Sequence, residues 1–209
     1  MMLKVTDLAV ARGGLRVLGG LSFDLAAGHA LLLRGPNGIG KTTLLRTLAG
    51  LQPPLSGHVE IPSDSLAYAG HLDGVKPTLS VVENLAFWAS IFGSASDKPM
   101  IKTALEAFNL DALQDRPAGR LSAGQKRRLG LARLMVARRK LWLLDEPTVS
   151  LDADARALFE AVINTHLAGG GAVLAATHLD LHIAPCATLD LTAFRATFQT
   201  ALGFDEAFL

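Results

Sequence analysis

Two patterns of hydrophobic residues predict strands. Residues 2–10 and 21–26 alternate apolar and polar positions, as half-buried antiparallel strands do. Residues 29–34 instead form a short apolar run that ends at a glycine-rich turn, which is typical of a buried parallel strand. Further strand-like runs follow at 58–61, 65–70, 141–145, 171–177 and 187–191.

Helix-like segments separate the later strands. A helix is predicted over 41–50, directly after the glycine-rich turn, and another over 152–168. Residues 79–138 look mostly helical, with breaks near 93–98 and 115–120. Because strands interleaved with helices form parallel sheets, this order predicts an α/β fold with a long helical insertion.

The composition argues against two classes of protein, those that bind nucleic acid and those that span a membrane. The 209 residues carry 20 Lys and Arg against 19 Asp and Glu, so the basic excess of a nucleic-acid-binding protein is missing. No apolar run approaches the length of about 18 residues that crosses a bilayer, and the N-terminus lacks a signal-peptide pattern. The sequence therefore predicts a cytoplasmic protein that neither spans a membrane nor binds nucleic acid.

The strongest chemical motif is GPNGIGKT at residues 35–42, which matches G-x-x-x-x-G-K-[ST]. Small glycines let backbone N–H groups close around phosphate oxygens, and the helix that follows points its positive end at them. Lys41 would reach the β- and γ-phosphates, and the Thr42 hydroxyl would bind Mg²⁺. The alternative is a purely structural glycine turn, which the preceding strand and following helix disfavour.

A second motif is the apolar strand at 141–144, which leads into Asp145 and Glu146. In P-loop enzymes an acid at this position holds magnesium through water. The neighbouring Glu146 would polarise the attacking water as a general base. By itself this pair also suits an acidic turn before a proline.

A third motif, LSAGQ at residues 121–125, precedes a basic helix. It resembles the LSGGQ signature of ABC ATPases, with Ala123 in place of one glycine. Residues 150–152 resemble the D-loop of that family, and Thr177-His178 its switch histidine. The motifs follow the family's order across essentially the whole chain. The charges of the basic helix interleave with apolar residues, which predicts a solvated face over a core stripe.

The resemblance implies a fold: α/β, with a P-loop NTPase (RecA-like) core, an N-terminal antiparallel β-subdomain and an inserted ABC helical subdomain. The chain is expected to be one ABC ATPase domain over 1–209. Residues 1–71 and 139–209 would form the catalytic core with the β-subdomain, and 72–138 the helical signature subdomain.

The resemblance also implies a site for ATP and Mg²⁺. The expected nucleotide-binding residues are Arg12, Gly35, Pro36, Asn37, Gly38, Ile39, Gly40, Lys41, Thr42 and Thr43. The expected catalytic residues are Lys41, Glu146 and His178, and the expected Mg²⁺ ligands are Thr42 and Asp145.

In the family, two such domains face each other head to tail, which makes a homodimer the expected assembly. Ser122, Gly124 and Gln125 would then act on the ATP held by the partner, and Asp152 would belong to the D-loop.

Two positions depart from the family pattern. The segment aligned with the adenine-stacking aromatic has Arg12, which would stack its guanidinium on the base or simply be exposed. The expected glutamine of the Q-loop is Leu72, and leucine cannot bind a metal. Either His71 or Asp73 replaces it, or the contact is missing.

The segment GHLDGVK at 70–76, with LSAGQKRR at 121–128, is similar to the ATP-binding subunits of cytochrome c maturation (haem) exporters. That resemblance implies integral-membrane partner subunits and a peripheral location on the cytoplasmic face of the bacterial inner membrane. The alternatives are another small ABC exporter, a non-transport ABC ATPase, and a soluble P-loop kinase, which the signature disfavours.

The sequence leaves open whether two segments rich in aromatic residues pack in the core of the domain or contact a partner subunit. Leu85, Phe87, Trp88, Ile91 and Phe92 would pack in the helical subdomain or contact a membrane subunit. The same alternatives apply to Phe194, Phe198, Leu202, Phe204 and Phe208.

Overall fold

The computed structural model describes residues 1–93 and 98–196. Its strands are β1 Leu3–Arg12, β2 Leu15–Leu25, β3 Ala30–Arg34, β4 Ser56–Glu60, β5 Leu66–Ala69, β6 Leu141–Asp145, β7 Ala172–Ala176 and β8 Cys186–Asp190. Its α-helices are α1 Lys41–Leu48, α2 Val81–Ile91, α3 Lys98–Ala107, α4 Ala123–Ala137 and α5 Ala153–Ala168. Short 3-10 turns cover Asp111–Leu113, Ala118–Arg120 and Leu191–Phe194.

The first sheet is antiparallel, in the order β2-β1-β4. The predicted strand at 21–26 was too short, because β2 already begins at Leu15 and pairs there with Arg12 of β1. Gly13 and Gly14, both with positive φ, close this hairpin, as a two-residue turn requires. The sequence pattern missed the first half of β2 because Gly19 and Gly20 interrupt the alternation there.

The second sheet is parallel, in the order β5-β6-β7-β3-β8. Alternate residues of its strands face two separate cores, which explains their continuous apolar runs. In β6, for example, Leu141 and Leu143 pack toward α1 and the antiparallel sheet, whereas Trp142 and Leu144 pack toward α2–α5. Because these strands are parallel, the carboxyl ends of β3, β6 and β7 lie at the same edge of the sheet. The glycine-rich segment 35–42, called the phosphate loop below, begins at this edge.

Helices α2, α3 and α4 contact one another, and α4 also contacts β5. Ser80 caps α2 and Ser122 caps α4, each with a reciprocal capping box. The expected core stripe of α4 is present, since Leu129, Leu131, Ala132 and Val136 are buried and Met135 is partly buried. The expected solvated basic face is wrong in one respect, because Arg127 is buried with 5% of its surface exposed.

The aromatic segments divide between core and surface. Leu85 is fully buried, Phe87, Trp88 and Phe92 are half-buried, and Ile91 is exposed. Phe194 packs at the edge of the core around α1. Phe198, Leu202, Phe204 and Phe208 lie outside the described residues. Within the described part of the chain, no helix is long and apolar enough to cross a membrane.

Candidate nucleotide-hydrolysing site

The phosphate loop connects β3 to α1. Its glycines Gly35, Gly38 and Gly40 have φ of 135°, 81° and 119°, a region that side chains with a Cβ rarely adopt. Pro36, Asn37 and Gly38 are exposed, whereas Ile39 anchors the loop in the core. The loop thus presents open backbone at the N-terminus of α1, which is the geometry of an anion site.

Three side chains from different elements converge beside this loop. The Lys41 Nζ donates to the Gly35 carbonyl at 2.7 Å and lies 3.3 Å from His178 Nε2. The same His178 nitrogen lies 3.2 Å from Glu146 Oε1. One imidazole nitrogen accepts from Lys41 or donates to Glu146 but not both at once, so the tautomer and charge of His178 select its partner.

Asp145 ends β6 next to α1. Its Oδ1 accepts a 3.1 Å hydrogen bond from Thr42 Oγ1. Its Oδ2 is buried and has no hydrogen-bond partner among the described residues. A buried carboxylate oxygen that accepts no well-aligned hydrogen bond, next to the Thr42 hydroxyl, suits Mg²⁺, which proteins bind through one or two carboxylates together with substrate phosphates. The described residues contain no cluster of three or more His, Cys, Asp or Glu that could hold a metal ion by itself, without the phosphates of a substrate.

Tyr68 of β5 is a site residue that the sequence did not predict. Burial and then the negative charge of Asp145 raise the pKa of its phenol to about 12. The phenol therefore stays protonated and can donate to Asp145. No local signal identifies it, because it reaches Asp145 only through the pairing of β5 with β6.

The loop of residues 70–74, which follows β5, replaces the expected glutamine in an unexpected way. His71 Nε2 lies 3.4 Å from Asp145 Oδ2. Leu72 points to solvent with 86% of its surface exposed. Asp73 turns away from Asp145 and accepts a 2.9 Å hydrogen bond from Arg127. Of the two substitutes that the sequence left open, His71 is the one placed at the candidate metal position.

The signature residues lie at the N-terminus of α4. Ser122 Oγ accepts from the Gln125 amide at 3.2 Å, and Gln125 Oε1 accepts from the Ser122 amide at 2.9 Å. Gly124 lies against the D-loop, since a Cβ there would approach the Ser150 carbonyl to 3.1 Å. The side chains of Ser122 and Gln125 are thus engaged with each other's backbone at the start of α4.

Asp152 and Thr43 have structural contacts in this chain. Asp152 Oδ1 caps α5 by accepting from the Ala155 amide at 2.8 Å. The Thr43 carbonyl accepts from Thr47 Oγ1 at 3.0 Å, one turn further along α1.

Arg34, the last residue of β3, is a second residue that the sequence did not predict. Its guanidinium donates to the Thr177 carbonyl at 2.8 Å and to Asp180 at 2.7 Å. The two acceptors, Thr177 and Asp180, precede and follow His178 in the sequence. Arg34 thereby links the strand that carries the phosphate loop to the segment that carries the histidine.

Arg12 is a predicted nucleotide-binding residue that the structure does not bring to the groove beside the phosphate loop. It is exposed at the end of β1. The groove beside the phosphate loop is lined by residues 36–39 with Arg16, Val17, Arg195 and Ala196. Arg12 does not line this groove.

A strand, phosphate loop and helix, with an acidic pair at the end of a second parallel strand of the same sheet, separated from the first by one strand, define the architecture of a P-loop nucleotide hydrolase. The ABC transporter family model matches residues 18–149, and the chain belongs to this family.

Relatives and solved structures agree with this assignment. The chain is 61% identical to the cytochrome c biogenesis ATP-binding export protein CcmA of Paracoccus denitrificans, over 99% of both chains. It is 59% identical to the protein of the same name in Rhodobacter capsulatus, over 100% of this chain and 99% of that one. A putative ABC transporter ATP-binding protein from Pyrococcus furiosus superposes with a TM-score of 0.83 at 28% identity, covering 93% and 99%. The predicted fold class is confirmed.

Proposed function

We propose that this chain is the ATP-hydrolysing subunit of an ABC exporter that serves cytochrome c biogenesis. The hydrolytic part of the proposal rests on the convergence of Lys41 Nζ and Glu146 Oε1 on His178 Nε2, at 3.3 and 3.2 Å, beside the phosphate loop. The export part rests on the names of the relatives, which align over nearly the full chain.

In the proposed reaction, water attacks the γ-phosphorus of ATP while the bond to the bridging oxygen of ADP breaks. Glu146 accepts the proton that the water loses, as a general base. Lys41 leaves its carbonyl partners for the phosphates, and His178 orients the γ-phosphate from the side of Glu146. When bound between Thr42 and Asp145, Mg²⁺ would neutralise charge on the β- and γ-oxygens.

The proposed assembly is a head-to-tail pair of these chains. The N-terminus of α4 carries the positive end of the helix dipole and open amides at Ala123 and Gly124, which would face the γ-phosphate held by the partner. Residues 72–138 would act as the helical signature subdomain, and residues 1–71 and 139–209 as the core. Separate integral-membrane subunits would hold the pair at the cytoplasmic face of the membrane.

The test is to replace the chain in its host by the Glu146→Gln variant and to follow c-type cytochromes by haem staining. We expect the stained cytochromes to disappear while the variant still co-purifies with membrane subunits. Normal staining with a catalytically dead variant would refute the role in cytochrome c biogenesis. Co-purification with subunits of a different exporter would assign the chain to that exporter.

A further inference from the structure

Arg127, the fifth residue of α4, is buried although its neighbours Lys126 and Arg128 are partly exposed. Burying a guanidinium is costly unless its N–H groups find partners. One carboxylate, Asp73, forms an ion pair with it at 2.9 Å. The remaining partners are backbone carbonyls, so the position serves more than charge neutralisation.

The guanidinium joins two segments to α4. On one side it donates to the carbonyls of Glu146 at 2.8 Å and Pro147 at 3.0 Å. On the other side it donates to the Gly70 carbonyl at 3.0 Å and to Asp73. A planar fork with five donors can hold four acceptors in fixed directions, which a lysine cannot do.

The Glu146 backbone is held from both sides. Its amide donates to the Ala176 carbonyl of β7 at 2.8 Å, and its own carbonyl accepts from Arg127. Its φ is 48°, a conformation that a non-glycine residue keeps only where the surroundings enforce it. The Val149 amide also donates to this carbonyl, at 3.3 Å, so Arg127 supplies the shorter of the two bonds that fix the peptide after Glu146.

Loop 70–74 also packs closely against α4 at Gly130, about one turn beyond Arg127. A Cβ at Gly130 would lie 2.7 Å from the Asp73 Cβ and 3.0 Å from its backbone. The loop thus contacts the helix closely at Gly130 and binds Arg127 through Gly70 and Asp73. A shift of this loop would pull on the same guanidinium that holds the Glu146 carbonyl.

We propose that Arg127 is a positioning residue that holds the general base Glu146 in its working orientation, and does so only while loop 70–74 is seated on α4. The inference rests on the proposed hydrolytic function. It makes Asp73 the side chain that, together with the Gly70 carbonyl, connects the loop to the base, separately from the contact between His71 and Asp145.

The experiment measures ATP hydrolysis by the full chain as wild type, Arg127→Lys, Arg127→Met, Asp73→Asn and the double variant Arg127→Met/Asp73→Asn. We expect kcat to fall about 100-fold in the Arg127 variants with KM for ATP unchanged, since a displaced catalytic group costs that much while the phosphate loop stays intact. Asp73→Asn should lower kcat less and add nothing in the Arg127→Met background.

The matched control is Arg128→Met, which removes a neighbouring guanidinium that donates to the carbonyls of Phe108 and Asn109, away from the site. Its kcat should stay at the wild-type value. Hydrogen exchange at the amides of 70–74 and 146–148 should accelerate in Arg127→Lys and not in Arg128→Met. If Arg127→Met does not fold, the kcat values of Arg127→Lys and Asp73→Asn test the proposal instead.

Wild-type kcat in a folded Arg127→Lys variant, or additive effects of the Arg127 and Asp73 substitutions, would overturn the inference. A proportional loss of kcat and melting temperature in Arg128→Met and Arg127→Met alike would also overturn it, because a general stabilising role would then suffice. Undiminished turnover by Glu146→Gln would instead refute Glu146 as the base and leave the hydrogen-exchange result to be judged separately.

Discussion

Glu146 shows how the backbone directs the side chain of the proposed general base. It follows β6 directly, and its positive φ turns the carboxylate out of the strand direction toward His178, at 3.2 Å. Asp145, one residue earlier, stays in the strand and is directed to Thr42. Adjacent acids thus receive different roles because the chain changes conformation between them.

The Glu146→Gln variant keeps the size of the side chain and removes its basicity. We expect ATP binding to be unchanged and kcat to fall by about 10²–10⁴-fold, the usual contribution of a general base. Equilibrium nucleotide binding and steady-state hydrolysis measure the two effects. Glu106→Gln is the control, because Glu106 is exposed on α3 and forms an ion pair there with Lys102. Retained hydrolysis would remove Glu146 from the mechanism.

We propose that His71, which lies 3.4 Å from Asp145 Oδ2, replaces the missing glutamine. The His71→Ala variant should require about 10- to 100-fold more Mg²⁺ for half-maximal hydrolysis, as expected when a group that orients a metal-binding carboxylate is lost. A Mg²⁺ titration of ATPase activity measures this requirement. Leu72→Gln is the matched control, and its highly exposed side chain predicts an unchanged titration. A shift in Leu72→Gln without one in His71→Ala would contradict the assignment.

At the scale of elements, α5 is attached to β6 through an aromatic pair. The rings of Trp142 and His166 stack with centroids 3.7 Å apart and planes at 10°. His166 Nε2 also lies 3.1 Å from the Lys140 carbonyl at the start of β6. Its ring covers Gly171, where any Cβ would collide with it at 2.2 Å. This contact fixes the end of the parallel sheet that lies away from the nucleotide.

Burial lowers the pKa of His166 below its ordinary value of 6.5. The unfolded chain therefore binds a proton more readily than the folded chain as the pH falls through about 6.5. The stability that the neutral ring contributes is present above that pH and is lost on acidification. Urea unfolding at about pH 7.5 and 5.5 should show a larger loss of stability in the wild type than in His166→Phe. Equal losses in both proteins would show that another group titrates.

At the scale of the whole molecule, the phosphate loop and the signature of one chain lie at the N-termini of two different helices, α1 and α4. The loop begins α1, and Ser122 and Gln125 are bonded to each other at the start of α4. A complete site of the proposed kind therefore needs the signature of a second chain. A twofold pair supplies two such sites, since each chain gives its loop to one and its signature to the other.

Mixing inactive variants tests that arrangement. Lys41→Ala should inactivate the loop, and Gly124→Asp the signature, because a carboxylate at the α4 N-terminus repels phosphate and its Cβ meets the Ser150 carbonyl. In an equimolar mixture, half of the pairs are mixed and each retains one intact site, so about a quarter of the wild-type rate should return. Mixtures that remain inactive, although size-exclusion chromatography shows mixed pairs, would refute a site shared between chains.

The sequence determined the parts of this protein whose geometry is local. The phosphate loop, the acidic pair and the signature are short segments, and each adopts its conformation from its own glycines, strand end or capping residue. The apolar runs likewise predicted the strands β3, β6 and β7, because a strand covered on both faces has apolar residues at every position. The order of these motifs was enough to identify the family.

Only the tertiary structure decided which distant residues support those segments. Tyr68 reaches Asp145 because β5 pairs with β6, and Arg34 holds the chain around His178 because β3 lies beside β7. The sequence pattern placed Arg127 on a solvated basic face. In the structure it is buried, because loop 70–74 and the Glu146 segment pack around it. Strand order and long-range packing depend on the whole chain at once, so no local pattern carries them.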